Sequence, residues 1–167
     1  HVDHAGGAGA LAALCPSARV LVHPLGVRHL AHPARLIGIT QQIYGRDFET
    51  RSGTVLPVPH SRLQGVEHGQ IVRLGEKDLQ FIHSPGHASH HLAILDRSQR
   101  GLFCGEALGL PPHLLPSVSP YSFDEEDYLA TIESLRQIAP RVLFFAHGGA
   151  DTIPEPAFTT AVENTRI

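Results

Sequence analysis

The sequence predicts an α/β fold of layered sheets and helices, built as one domain over residues 1–167. A chain of 167 residues is long enough for one compact core and too short for two comfortable ones. Short apolar runs bounded by Gly, Pro or charged residues recur along the chain, which is typical of strands. Helical patterns separate these runs without an internal repeat or a low-complexity block, so we expect layers around a single core.

The elements are assigned from apolar periodicity and from the residues that start or stop them. Pro33 divides the helical pattern after the first strand into two short helices. Residues 75–78 form a turn between two strands, and Asp124 with the acidic residues after it is a helix start signal. The expected order is a loop at 1–4, helix 8–14, strand 20–23, two helices within 25–44, an irregular surface segment at 50–67, strands 70–74, 79–83, 92–95 and 101–104, helix 124–137, strand 141–145 and helix 157–164.

The composition favours a small molecule as the partner. Hydrophobic residues make up 42% of the chain and charged residues 17%, as in ordinary globular proteins. The net charge is −3 and Lys77 is the only lysine, which argues against binding to nucleic acid. No apolar stretch approaches the roughly 20 residues that span a membrane.

The two cysteines, Cys15 and Cys104, are expected to be small buried thiols. We therefore predict a reducing, cytoplasmic location, while the oligomeric state stays open.

Histidine is unusually abundant, with 13 residues, and imidazole is the commonest transition-metal ligand. Four segments offer ligands beside glycines or at the ends of apolar runs, so the sequence predicts a metal centre that several segments build together. The four are His1-Val2-Asp3-His4-Ala5-Gly6-Gly7, Ser84-Pro85-Gly86-His87-Ala88-Ser89-His90-His91, Phe103-Cys104-Gly105-Glu106 and Phe145-Ala146-His147-Gly148.

The first segment offers three candidate metal ligands, which are His1, Asp3 and His4. In a loop their side chains can spread to two sides of one point, so the segment could serve two adjacent metal ions. The alternative is that Asp3 only caps the helix that follows.

Three further candidates lie in the later segments. His87 follows a turn in which Gly86 lets the chain approach a metal closely. Glu106 could bridge two cations, and His147 lies at the mouth of a buried strand. The alternative for Glu106 is an exposed glutamate in a loop, and the alternative for His147 is a purely structural histidine.

His90 and His91 are interpreted as residues that pack or support a ligand. His83 is interpreted as a strand residue, and the remaining histidines are placed on the surface or beside the site: His23, His29, His32, His60, His68 and His113.

Together these segments resemble the motifs of the metallo-β-lactamase superfamily of metallohydrolases, over the chain from His1 to about Gly149. His1-Val2-Asp3-His4 is similar to the end of the motif His-x-His-x-Asp-His, and Gly105-Glu106 stands where the family usually has Gly-Asp. The resemblance implies a four-layer αβ/βα sandwich with metals at one edge of two facing sheets. We expect the first histidine of the motif and the first strands to lie upstream of His1.

The resemblance also implies two metal ions per full-length chain, with Zn²⁺ favoured and iron as the alternative. His1 and His87 would belong to one ion, Asp3, His4 and His147 to the other, and Glu106 would bridge them.

Three functions follow as hypotheses. The favoured one is a hydrolase in which a metal-bound hydroxide attacks an ester, thioester or lactone of a small molecule, with Asp3 orienting the hydroxide and passing on a proton. The second is an iron-dependent oxidoreductase similar to a persulfide dioxygenase. The third is a degenerate, non-catalytic domain, which Glu106 favours and which would bind no metal tightly.

The segment after Glu106 is predicted to lie near the metals. Residues 109–123 include Tyr121 and Phe123, whose rings are candidates for an apolar substrate-binding wall. The alternative is that these residues pack onto the neighbouring helix.

Overall fold

The computed structural model describes residues 1–45, 47–119 and 121–166. The chain forms two compact units, residues 1–66 and residues 67–167, and each is described by itself. That residues 1–167 form a single domain stays a prediction. Among the described residues, none of the helices has the length and apolar character needed to cross a membrane.

The first unit is mainly helical and contains a two-stranded parallel sheet. Pro24 occupies the first turn of one helix, where its missing N–H is no loss, and His23 Nδ1 accepts a hydrogen bond from the Leu25 N–H at 3.1 Å. Pro33 stands at the start of the next helix, so two helices form, as predicted. The elements are α1 (Val2–Ala5), α2 (Ala8–Leu14), β1 (Val20–Val22), α3 (Pro24–Ala31), α4 (Ala34–Tyr44), α5 (Phe48–Ser52), a 3₁₀ turn (His60–Arg62) and β2 (Leu63–Gly65).

Two predictions for this unit were wrong. Residues 1–4 were expected to form a loop, but the Ala5 N–H donates to the His1 carbonyl at 2.9 Å and closes a helical turn. The segment 50–67 was expected to be irregular, yet β2 pairs in parallel with β1, and the Val66 N–H donates to the Val22 carbonyl at 2.9 Å. The prolines of this segment precede the strand and therefore do not prevent the pairing.

The second unit is a six-stranded sheet with two helices. The strands are neighbours in chain order, with β6 and β7 parallel and the other pairs antiparallel. A parallel pair needs a crossover, and α6 lies within the connection between β6 and β7. The elements are β3 (Ile71–Leu74), β4 (Lys77–His83), β5 (Leu92–Asp96), β6 (Gly101–Gly105), α6 (Glu125–Gln137), β7 (Val142–Phe145), β8 (Ala150–Asp151) and α7 (Pro154–Thr165).

The predicted strands and helices of this unit are confirmed. β8 was not predicted, because it has only two residues and no periodicity to detect. Asp124 caps α6, since its side chain accepts a hydrogen bond from the Asp127 N–H at 3.0 Å. One core joins the sheet to both helices, and apolar burial is its main stabilising term. Its largest fully buried side chains are Tyr128, Phe158, Leu102, Leu108, Ile132, Leu135 and Leu143.

Candidate metal centre

Glu106 and His147 are brought together by the parallel pairing of β6 and β7. Gly105, the last residue of β6, is in register with Phe145, the last residue of β7. Glu106 and His147 follow these strand ends, so they lie at the same edge of the sheet. The distance between His147 Nε2 and Glu106 Oε1 is 3.4 Å.

His87 contacts the other oxygen of the same carboxylate. It lies in the segment between β4 and β5, and its Nε2 is 2.7 Å from Glu106 Oε2. His87 is 4% exposed and Glu106 is 5% exposed, so the alternative of an exposed loop glutamate is wrong. A buried carboxylate is costly unless it is paired. Here each carboxylate oxygen faces a different imidazole.

The ring orientation of His87 is fixed from the opposite side. Its Nδ1 lies 2.9 Å from the carbonyl oxygen of Ser117. A carbonyl only accepts hydrogen bonds, so Nδ1 carries the proton and donates it. Nε2 then faces the Glu106 carboxylate, and two such groups 2.7 Å apart require a cation between them, either a proton or a metal ion. Metal-binding histidines typically have a carbonyl or carboxylate on the second nitrogen, so these residues fit a metal.

The turn before His87 is packed against the start of α6. Gly86 has φ +116°, and a Cβ atom there would lie 2.3 Å from Tyr128 Cα, so no larger residue fits without rearrangement. The Asp124 N–H donates to the Gly86 carbonyl at 2.8 Å, and Thr131 Oγ1 donates to the Pro85 carbonyl at 2.7 Å. The hydrogen bonds of α6 therefore hold the His87 turn in place.

The backbone of Glu106 is also held by α6. The Tyr128 hydroxyl donates to the Glu106 carbonyl oxygen at 3.0 Å, and Tyr128 is 1% exposed. Burial raises the pKa of Tyr128, with a smaller contribution from the Glu106 charge, so the hydroxyl keeps its proton at neutral pH. The sequence pointed to neither Tyr128 nor Ser117. Tyr128 was predicted only as an apolar position of a helix, and Ser117 acts through its backbone, which no side-chain pattern reveals.

The three candidates of the first unit lie at the start of α1. His1 precedes the helix, and His4 Nε2 is 3.3 Å from Asp3 Oδ2. Gly7 is the N-cap of α2 and no side chain caps that helix, so the alternative role of Asp3 as its cap is wrong. That His1, Asp3 and His4 bind metal stays a prediction.

The other histidines differ in their surroundings. His83 is the last residue of β4, as predicted. His23 was expected on the surface or beside the site, but it is buried and caps α3. His68 packs edge-on against His83, with the ring centroids 5.8 Å apart.

A surface depression of about 390 Å³ adjoins the His87 turn. The predicted substrate-binding residues Tyr121 and Phe123 line it together with Gly86 and Ser89. Tyr121 is exposed, whereas Phe123 also packs against the ring of Tyr128 in α6, with the ring centroids 5.2 Å apart. Phe123 therefore shows the packing role that was its alternative, and substrate binding by both residues stays a prediction.

The two cysteines differ, and both are free. Cys104 is fully buried in the core, and its thiol lies 3.2 Å from the Phe144 carbonyl oxygen. Burial raises the pKa of the Cys104 thiol to about 12, so it stays protonated. Cys15 was predicted to be buried and is exposed, because it follows the last turn of α2.

Two related proteins share part of this sequence. ST1585 of Sulfurisphaera tokodaii, a metallo-β-lactamase fold-containing protein, is 26% identical over 154 residues, which cover 89% of this chain and 58% of ST1585. MBLAC2 of Gallus gallus, an acyl-coenzyme A thioesterase, is 29% identical over 96 residues, which cover 58% of this chain and 33% of MBLAC2. The chain thus spans less than two thirds of the length of these relatives.

Solved structures show the same fold. The crystal structure of ST1585 matches with a TM-score of 0.77 at 23% identity, and the match covers 94% of this chain and 60% of the other. TTHA1623 in a di-iron-bound form matches with a TM-score of 0.63 at 23% identity, covering 98% of this chain and 70% of the other. The predicted metallo-β-lactamase-like α/β fold is therefore confirmed.

Residues 1–147 match the model of the metallo-β-lactamase superfamily. This match covers most of the chain and includes His1, His87, Glu106 and His147. The chain belongs to the metallo-β-lactamase superfamily.

Proposed function

We propose that this chain is a metal-dependent hydrolase that acts on an ester, a thioester or a lactone of a small molecule. The observation that carries the proposal is the buried carboxylate of Glu106, which has His87 at 2.7 Å from one oxygen and His147 at 3.4 Å from the other. A carboxylate with a nitrogen ligand beside each oxygen is suited to bridging two cations.

The remaining ligands are proposed from the family motif. His1 would join His87 at one metal ion, while Asp3 and His4 would join His147 at the other. Nitrogen and carboxylate-oxygen donors suit Zn²⁺ and also iron. The proposed ligand set consists of histidine and carboxylate groups and contains no thiolate, because Cys104 lies in the hydrophobic core with its thiol 3.2 Å from the Phe144 carbonyl oxygen.

The chemistry divides between the metal and the protein. When bound, divalent cations supply a Lewis acid that lowers the pKa of water and polarises a carbonyl group. The protein orients the ligands: the Ser117 carbonyl fixes the His87 ring, and the Tyr128 hydroxyl fixes the Glu106 backbone. Asp3 is exposed, and its carboxylate is the proposed group that takes up a proton and transfers it to the leaving group.

Two features support an acyl substrate. MBLAC2 is named as an acyl-coenzyme A thioesterase, which favours a thioester within the proposed class. The depression beside the His87 turn is lined by Tyr121 and Phe123 and also by Asp124 and Asp127, so the two aromatic residues offer an acyl chain a contact beside an acidic edge.

The test combines metal analysis with a substrate screen. The full chain is purified without added metal, its metal content is measured by elemental analysis, and nitrophenyl esters, acyl thioesters and lactones are assayed. About two zinc ions per chain with hydrolysis of one class is the expected result. Glu106→Gln should lose metal and activity, because it keeps the shape but removes the charge, whereas His32→Ala at an exposed position should change neither.

The same experiment addresses a second candidate, the iron-dependent oxidoreductase. The observation that favours this candidate is the di-iron-bound form of TTHA1623, a protein of the same fold. Iron in the purified chain, with oxygen uptake on a persulfide and no hydrolysis, would replace the hydrolase proposal. A chain that binds no metal would instead establish the non-catalytic alternative.

A further inference from the structure

His91 lies beside the candidate centre and hydrogen-bonds to the backbone of Glu106. The Glu106 N–H donates to His91 Nε2 at 3.1 Å. The other ring nitrogen, Nδ1, is 2.7 Å from Ser84 Oγ, and Ser84 is 1% exposed. His91 therefore connects the side chain of Ser84 with the backbone of Glu106.

These two hydrogen bonds define the tautomer of His91. A backbone N–H only donates, so Nε2 must present a lone pair. The proton of the neutral ring is then on Nδ1, which donates it to Ser84 Oγ. The two histidines therefore differ in the partner of Nε2. In His91 this atom accepts the hydrogen bond from the Glu106 N–H, whereas in His87 it faces the Glu106 carboxylate.

The geometry of the Gly105–Glu106 turn depends on the same ring. Gly105 has φ +58°, and a Cβ atom there would lie 2.4 Å from His91 Nε2. A side chain at position 105 would displace the ring, so glycine is needed for the ring to reach the Glu106 N–H. β6 and β7 also shift register between Phe103 and Gly105, and the hydrogen bond from Glu106 comes directly after this irregularity.

His91 is itself fixed to the loop that carries His87. Its backbone N–H donates to the Ala88 carbonyl at 3.0 Å, and its carbonyl accepts from the Ser84 N–H at 3.1 Å. The rings of His87 and His91 pack edge-on, with the centroids 5.8 Å apart. One residue thus contacts both His87 and the Glu106 backbone.

We infer that His91 is a positioning residue of the proposed metal centre, which sets Glu106 relative to His87 through the Glu106 N–H. The inference rests on the proposed function for its effect on metal binding. Residues that support metal ligands in this way typically change metal affinity by about 10- to 100-fold when they are replaced.

The first test needs no metal. In the metal-free full chain, nitrogen NMR should show the His91 ring protonated on Nδ1, and the Glu106 amide should exchange slowly with solvent. His91→Leu should make that amide exchange much faster, while His91→Gln should preserve protection, because its amide oxygen can accept from Glu106 and its NH₂ can donate to Ser84. His113→Leu, at an exposed position, serves as the control. Unchanged protection in His91→Leu would overturn the inference.

The second test measures binding of Co²⁺ alone by its visible absorption. His91→Leu should weaken binding about 10- to 100-fold, while His91→Gln should bind within about threefold of the wild type and keep its spectrum. A changed spectrum in His91→Gln would overturn the inference, because it would identify His91 as a ligand. Unchanged affinity in His91→Leu would also overturn it. A wild-type chain without Co²⁺ binding would overturn the proposed function, and the amide experiment distinguishes the two failures.

Discussion

The Nε2 atom of His87 lies 2.7 Å from the Oε2 atom of Glu106, and both side chains are almost completely buried. β5 and β6 separate the two residues in sequence, so no local pattern creates the contact. The hydrogen bonds of α6 hold the His87 turn, and the sheet holds Glu106. The contact between His87 and Glu106 is thus a property of the folded second unit.

His147→Ala should remove about one metal ion and abolish turnover without unfolding the protein. The side chain of His147 is 47% exposed, so its loss leaves little unfilled space in the core. Metal content and activity are compared with thermal unfolding monitored by circular dichroism. A variant that keeps both metal and activity would exclude His147 as a ligand, and a lower melting temperature would indicate a structural role instead.

Gly86→Ala should destabilise the protein strongly. The new Cβ would lie 2.3 Å from Tyr128 Cα at a positive φ, and the combined overpacking and backbone strain should cost about 3 kcal/mol. Gly75→Ala is the matched control, because Gly75 also has a positive φ but nothing lies within 4 Å, so about 1 kcal/mol is expected. Chemical denaturation measures both, and equal losses would show that the contact with Tyr128 is unimportant.

Stability should fall in acid partly because of Asp96. The hydrogen bond from Lys77, at 2.7 Å, and a second from Ser98 lower the pKa of Asp96 from 3.8 to about 2. A folded-state pKa below the ordinary value adds stability at higher pH, and this stability is lost as the pH falls from about 5 towards 2. The free energy of unfolding of Asp96→Asn should therefore depend less on pH in this range. An identical pH dependence in both proteins would contradict the prediction.

The two thiols should react at very different rates. Cys15 is exposed and should be modified rapidly by a thiol reagent, while Cys104 is buried with a pKa raised to about 12. In Cys15→Ser the remaining thiol should react only after denaturant is added. Rapid labelling of native Cys15→Ser would show that the core around β6 opens readily.

Periodicity and chain breakers predicted most of the second unit. Asp124 marked the start of α6, and the apolar runs marked its longer strands, because these signals act within a few neighbouring residues. In the first unit β2 was missed. A strand of three residues is stabilised by its partner β1 more than by its own sequence.

The sequence also predicted His87, Glu106 and His147 as a group. The hydrogen bonds that hold these residues in place could not be predicted. The hydrogen bond from His87 goes to a backbone carbonyl, and the role of Tyr128 depends on the packing that brings its hydroxyl to the Glu106 carbonyl. His91 could be assigned only to packing or support, because its hydrogen bonds depend on where the Glu106 backbone lies.

The parallel pairing of β6 and β7 has a consequence for how such a protein can diversify. Glu106 and His147 each lie within two residues of a strand end, so the sheet fixes their spacing and the longer connections beyond them do not. Changes in the exposed parts of these connections that leave Ser117 and Tyr128 in place can therefore remodel the surroundings of the carboxylate without moving it. Connections of different length or composition would then place different surfaces beside the same pair of side chains, at one constant spacing.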